Sequence, residues 1–259
     1  MDKKAVLYNL EEYDDPVLYD NENDMIAEIS FLLNLVEKSN GIIIDLACGT
    51  GRVTIPLACK GFKMIGVDLH KGMLEQAKKK SNKENIQIQW IQQDCTKLAL
   101  NVKSHFIYMV GNSFQHFLTN DAQDRLLTSV NQHLENNGIF IFNTRFPSKE
   151  ELLQPNSEEY WRTYKDKESG LLVDVYTISN YDSLNQIQHY QTNRKYKSEQ
   201  GFVVKEKSTN ISLRYVFPKE MERLLSHNGF EIEHIYKDWN QTPISNDSDE
   251  MVYVCKKIR

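Results

Sequence analysis

The feature that most constrains this chain is a short β-branched run, Ile42-Ile43-Ile44-Asp45-Leu46, which leads directly into a glycine-rich turn and then a helix-spaced segment. Both faces of such a strand are apolar, so helices must cover it on both sides. The unit then recurs along the chain. Helical spacing over Asp24 to Glu37, ended by Asn40-Gly41, comes before the run; Val53 to Cys59 and Lys71 to Lys80 follow it, with the strand Phe62 to Val67 between them. Lys78, Lys79 and Lys80 close their helix as cations opposing its negative end. Ile86 to Ile91 and Ser104 to Val110 read as further strands. Asp121 to Glu135 is an amphipathic helix capped by Asn136-Asn137-Gly138, and Ile139 to Asn143 is the fifth strand. Five strands separated by helix-length connections predict an α/β fold, a doubly wound, mostly parallel sheet with helices on both faces.

The pattern changes after Arg145-Phe146-Pro147. Alternating stretches at Tyr160 to Tyr164, Leu171 to Ile178, Gln186 to Tyr196 and Phe202 to Leu213 have hairpin spacing. They predict an antiparallel β insertion after the fifth strand. Pro218 to Ser226 then reads as a helix, stopped by Asn228-Gly229, and Phe230 to Tyr236 and Met251 to Cys255 as final strands. The expected organisation is a core over 1–145 and 215–259 with an antiparallel cap over 146–214.

Hydrophobic residues at 40% and charged residues at 26% suit an ordinary globular core, and a formal net charge of -5 offers no basic face for general nucleic-acid binding. No apolar run reaches membrane-spanning length, and Met1 to Leu10 lacks the apolar stretch of a secretory signal. Cys48, Cys59, Cys95 and Cys255 form no CxxC pair, and His70, His105, His133, His189, His227 and His234 have no ligand spacing. The expectation is a cytoplasmic protein with reduced thiols, no metal site, and a monomeric or homodimeric state.

In open α/β sheets ligands bind beyond the carboxyl ends of the strands. The turn there is Asp45-Leu46-Ala47-Cys48-Gly49-Thr50-Gly51-Arg52. A dinucleotide fingerprint would need a third glycine where Thr54 stands, and a phosphate loop would need a Gly-Lys-Ser or Gly-Lys-Thr that is absent. Asp68 ends the second strand, at the distance where a carboxylate accepts ribose hydroxyls, and Asp94 ends the third. Together these residues resemble the first motifs of class I S-adenosylmethionine-dependent methyltransferases, whose turn reads D/E-x-G-x-G-x-G; here Ala47 replaces the first glycine. The resemblance is dense from Gly41 to Asn143 and implies the seven-stranded Rossmann-like methyltransferase fold. It also implies S-adenosyl-L-methionine as cofactor, held by Asp45, Ala47, Gly49, Gly51, Arg52, Asp68, Leu69, Met73, Asp94, Cys95 and Val110.

A tyrosine before the first helix, Tyr13 or Tyr19, resembles the residue that folds over the methyl donor in many small-molecule methyltransferases, so both are candidates for cofactor contact and catalysis. His116, just past the fourth strand, is the candidate base. The inserted sheet is similar to that of sugar-amine and glycine N-methyltransferases, which makes Phe114, His116, Arg145 and Trp161 candidates for substrate contact, with Tyr160, Arg162, Tyr196 and Arg214 behind them. Asn112-Ser113-Phe114-Gln115 stands where the amino-methyltransferases of nucleic acids carry a Pro-Pro-Tyr motif. No cysteine stands in the Pro-Cys context of cytosine methylation. The implied activity is in-line transfer of a methyl group to an N or O nucleophile of a small molecule, with neither nucleic acid nor membrane as partner. A nicotinamide-dependent oxidoreductase and a non-catalytic cofactor-binding module are the alternatives.

Overall fold

The computed structural model describes residues 9–23, 25–36 and 41–259. The run Ile42–Leu46 is β1, paired in parallel with β2 (Lys63–Asp68) on one side and β4 (Ser104–Met109) on the other. β3 (Gln89–Gln92) borders β2, and β5 (Leu134–Arg145) borders β4. The last two strands, β10 (Phe230–Tyr236) and β11 (Glu250–Lys257), complete a seven-stranded sheet in the order β10-β11-β5-β4-β1-β2-β3, with β11 antiparallel to β5. Alternate residues of β1 serve the two faces. Ile44 and Leu46 join one buried cluster with Ile65, Val67 and Met109, and Ile43 joins the other with Met64, Phe106 and Tyr108. That division is what a strand buried between two helix layers requires.

The helices are α1 (Pro16–Glu22), α2 (Glu28–Val36), α3 (Thr54–Cys59), α4 (Lys71–Lys83), α5 (Asn120–His133), α6 (Lys149–Leu152) and α7 (Pro218–His227). Between β5 and α7 the chain forms a separate four-stranded antiparallel meander, β6 (Glu159–Lys165), β7 (Leu172–Asp182), β8 (Ile187–Lys197) and β9 (Val203–Arg214). β6 and β7 are longer than the sequence stretches that announced them, while β8 and β9 have the expected lengths and lie one residue further along the chain.

Three local readings need correction. The apolar spacing from Asp24 onward becomes helical only at Glu28, and a separate helix, α1, precedes it; Asp24, Glu37 to Asn40 and Met1 to Tyr8 lie outside the described residues, so the stop at Asn40 and the terminal reading are not addressed. Asn136-Asn137-Gly138 is no helix cap. α5 ends at His133, because Leu134 pairs at once with Ser104, and the Asn-Asn-Gly segment is an irregularity inside β5 with Asn137 at φ +60. A Cβ at Gly138 would meet the Glu135 carbonyl oxygen at 3.0 Å and that of His105 at 3.2 Å, so glycine is required there by the bulge. The lysines ending α4 do more than oppose a dipole: Lys80 Nζ donates to Asp20 Oδ1 on α1 at 2.8 Å and to Thr50 Oγ1 at 3.2 Å, tying α1 to the glycine-rich turn.

Candidate active site

The turn after β1 is built around left-handed backbone. Ala47, Gly49 and Gly51 have φ of +54, +55 and +76. For Ala47 this conformation costs about 1–2 kcal/mol, which a glycine there would avoid. At Gly51 a side chain is excluded by space as well as by φ. Its Cβ would lie 2.7 Å from the Trp90 ring, and a Cβ at Gly66 on β2 would lie 2.4 Å from the same ring. Trp90, on β3, is thus pressed beneath the turn, a contact that no local motif announces.

Asp68 closes the turn from β2. Its Oδ2 accepts from Gly49 N at 2.7 Å and its Oδ1 from His70 N at 2.8 Å. Each oxygen keeps a further lone pair for an outside donor. Burial pushes this carboxyl above its ordinary pKa, against the pull of the backbone N–H groups of His70, Gly49 and Leu69. Asp94 spends Oδ1 on capping the short turn Cys95–Lys97, accepting from Thr96 N and Oγ1. Met73 and Cys95 are buried behind the turn, Val110 is 8% exposed at the end of β4, and Leu69 is exposed beside Asp68.

Asp45 is 1% exposed at the end of β1. Thr54 Oγ1 and Tyr108 Oη both donate to its Oδ2, at 2.6 and 2.8 Å, and its Oδ1 is buried without a partner. Desolvation, only partly offset by the two hydroxyl donors, lifts its pKa from 3.8 to about 7. An acid with a raised folded-state pKa keeps a proton that the unfolded chain has released, so between about pH 4 and 7 this group removes stability as pH rises. Denaturant unfolding across that window is expected to have a steeper decline for the wild type than for Asp45→Asn, whose amide oxygen still accepts from Thr54 and Tyr108. Equal slopes would acquit Asp45.

The N-terminal segment folds over this turn. Tyr19, on α1, lies with its ring and hydroxyl 3.9 Å from where a Gly49 Cβ would stand, and Tyr13 packs edge-on to it with ring centroids 5.8 Å apart. Beyond the two tyrosines lies a cavity of about 460 Å³, walled by the N-terminal segment, the ends of β4 and β5, and the inner face of the meander. Of the residues singled out from sequence, Tyr13, Tyr19, Arg52, His116, Arg145 and Trp161 line it. Arg52 is neither solvated nor free, since Nη1 and Nη2 donate to Glu28 at 2.9 and 2.6 Å. Phe114 is a correction: it is fully buried, stacked on Phe142 with centroids 4.8 Å apart, because its short turn places the aromatic side chain under the sheet end. Arg214 also faces elsewhere, toward Leu118 O, Gln186 and Glu220.

Several lining residues were not foreseen. Arg194 is 2% exposed and donates to Glu22 through Nε and Nη2, to Glu12 at 2.7 Å and to Thr209 Oγ1 at 2.7 Å. Glu151 collects Arg145 at 2.9 Å, Tyr190 Oη at 2.9 Å and the Tyr215 hydroxyl. Tyr190, Thr192 and Arg194 alternate along β8, so a period of two turns them all inward. The only available signal was that alternation, and β8 is polar on both faces, which hides it. Among the described residues no group of three or more His, Cys, Asp or Glu side chains is placed to hold a metal ion, and no helix is long and apolar enough to cross a membrane.

A parallel sheet with a glycine-rich turn after its first strand, and carboxylates closing the next two, defines a nucleoside-cofactor domain. Residues 43–138 match the family described as methyltransferase domain. That stretch is a methyltransferase domain, and S-adenosylmethionine is its methyl donor. It is 26% identical to YqeM of Bacillus subtilis (strain 168), a provisionally named methyltransferase, over 87% of each chain. The fold is that of the CcbJ methyltransferase from Streptomyces caelestis, at a TM-score of 0.80, 20% identity, and coverage of 97% of this chain and 100% of that one. It is equally that of S-adenosylmethionine-bound CalS10, an amino pentose methyltransferase from Micromonospora echinaspora, at a TM-score of 0.72, 14% identity, and coverage of 93% and 94%.

Proposed function

We propose that the chain methylates an amino nitrogen of a small, hydroxyl-bearing molecule. The observation that carries this reading is Glu12 Oε2, a buried carboxylate oxygen with no partner, on a residue that lines the cavity. A buried acceptor left unsatisfied is costly, and a donor on the substrate, an ammonium or a hydroxyl, would satisfy it. The remaining wall suits a polyhydroxylated ligand, since Tyr13, Thr177, Tyr190 and Thr192 all line it. A volume near 460 Å³ matches a small molecule and not a polymer. The amino sugar substrate of CalS10 is of the same class.

S-adenosylmethionine supplies an electrophilic methyl group on a sulfonium. The donor set fits such a cofactor: Asp68 has a spare lone pair on each oxygen for the ribose hydroxyls, Gly49 and Gly51 leave the turn bare, Leu69 and Met73 would hold the adenine, and Asp94 would take its amino group. Asp45, Ala47, Cys95 and Val110 would form its floor, and Arg52, held by Glu28, would take the amino-acid end. Tyr13 and Tyr19 close the site from water and favour a positive centre. The protein mainly aligns the nitrogen, which enters as a free amine and passes its surplus proton to solvent after transfer. Burial and the nearby Arg145 charge hold His116 at a pKa of about 4, so it stays neutral and is a weak proton acceptor.

The test is calorimetric titration with S-adenosylmethionine, S-adenosylhomocysteine and NAD, followed by mass-spectrometric assay against paired panels of amino sugars, simple amines and phenols. Micromolar binding of the two adenosyl ligands, with turnover confined to hydroxylated amines, is expected. Turnover of phenols alone would transfer the reading to oxygen. Adenosyl binding with no turnover anywhere would favour the non-catalytic module.

A further inference from the structure

We propose that Asn9 is a positioning residue that locks His116 in its Nε2–H tautomer, making His116 a hydrogen-bond donor to Tyr13 and directing the Tyr13 hydroxyl hydrogen into the cavity. The assignment rests on a two-point clamp. Asn9 Oδ1 accepts from Ser212 N at 2.7 Å, and Asn9 Nδ2 donates to Ser212 O at 2.8 Å. Turning the amide over would set oxygen against oxygen and N–H against N–H, so the clamp decides which end is which. The second hydrogen on Nδ2 therefore points at His116 Nδ1, 3.0 Å away. Nδ1 must accept, and a neutral imidazole that accepts at Nδ1 carries its hydrogen on Nε2.

Nε2 lies 2.9 Å from Tyr13 Oη. The hydrogen runs from histidine to tyrosine, and the tyrosine oxygen accepts it. Burial holds the Tyr13 hydroxyl well above its usual pKa, so it keeps its own hydrogen. Among the described residues the Tyr13 hydroxyl makes no other hydrogen bond, and Tyr13 lines the cavity. That hydrogen is available to an acceptor oxygen of the ligand. Facing His116 are Asn9, Tyr13 and, more distantly, Arg145; none of them accepts a proton from Nδ1. The histidine that the sequence offered as a base thus has its one lone pair already taken, and serves by orienting Tyr13. The importance of Tyr13 to turnover rests on the proposed amine methylation, whereas the tautomer does not.

The test is nitrogen NMR of the whole protein carrying labelled histidine, alongside steady-state kinetics. Wild type is expected to give a neutral Nε2–H signal for His116 at pH 7. Asn9→Asp places an acceptor against Nδ1 and is expected to convert the ring to an Nδ1–H or doubly protonated form. Turnover should drop at least tenfold while the Kd for S-adenosylhomocysteine stays within threefold. His116→Gln offers an amide that accepts at one end and donates at the other; it is expected to keep turnover within about fivefold of wild type. An Nδ1–H or charged His116 in the wild type, or no change of tautomer in Asn9→Asp, would overturn the proposal. The expected spectra with unaltered turnover would uphold the tautomer and overturn the placement of Tyr13 at the substrate.

Discussion

Arg194→Ala is expected to lower unfolding stability by about 3–5 kcal/mol, the cost of stripping one partner from a buried ionic cluster. The guanidinium has almost no contact with solvent and joins the two ends of α1's segment, Glu12 before it and Glu22 at its end, to the meander at Thr209. The two carboxylates raise the pKa of Arg194 further above its ordinary value, so the charge is permanent. Without it, Glu12 and Glu22 face one another in a partly buried space and must take up a proton or move apart. Either response loosens the segment that carries Tyr13 and Tyr19. Arg194→Lys should recover less than half of the loss, because an ammonium cannot address both oxygens of Glu22 and still reach Glu12 and Thr209. Urea denaturation measures both variants. A loss below about 1 kcal/mol for Arg194→Ala would mean that the two glutamates are held by something other than this cation.

The contrast between what was legible and what was not follows from distance along the chain. β1 could be read from five residues, because burial on both faces leaves no room for polar alternation. Asp45 and Asp68 could be read from their positions at strand ends, since topology alone brings those ends together. The Arg194 cluster joins residues 172 and 182 positions apart, and the Asn9 clamp on Ser212 spans 203. Such pairings have no periodicity to reveal them. Asn136-Asn137-Gly138 misled for a different reason: the residues that end helices are also those that tolerate the positive φ of a bulge, and only the pairing of Leu134 with Ser104 decides between them. Phe114 misled because a turn of four residues, Ser113–His116, sends Phe114 into the core and His116 toward the cavity.

Asp68→Ala is expected to weaken S-adenosylhomocysteine binding by a factor on the order of 10² to 10⁴. Two ribose hydroxyls donating to one carboxylate are worth about 1.5–3 kcal/mol each, and every 1.4 kcal/mol is about tenfold in Kd. Asp68→Ala also takes the acceptor away from Gly49 N and His70 N, so the free protein is expected to lose stability at the turn as well. Affinity and stability therefore fall together in this variant. Asp68→Asn behaves differently, although it is closer in shape. Both carboxylate oxygens accept from backbone N–H groups, Gly49 on one and His70 on the other, so an amide nitrogen must confront one of those donors. Asp68→Asn should lose affinity and leave one backbone donor unmet, whereas Asp68→Ala should lose affinity and leave both unmet, so it is expected to be the less stable of the two. The raised pKa adds a pH signature: wild-type affinity should begin to fall on acidification above the range of an ordinary aspartate, and that fall should vanish in Asp68→Ala. Calorimetric titration across acidic pH tests all three statements. An affinity for Asp68→Ala within threefold of wild type would remove the ribose from this carboxylate.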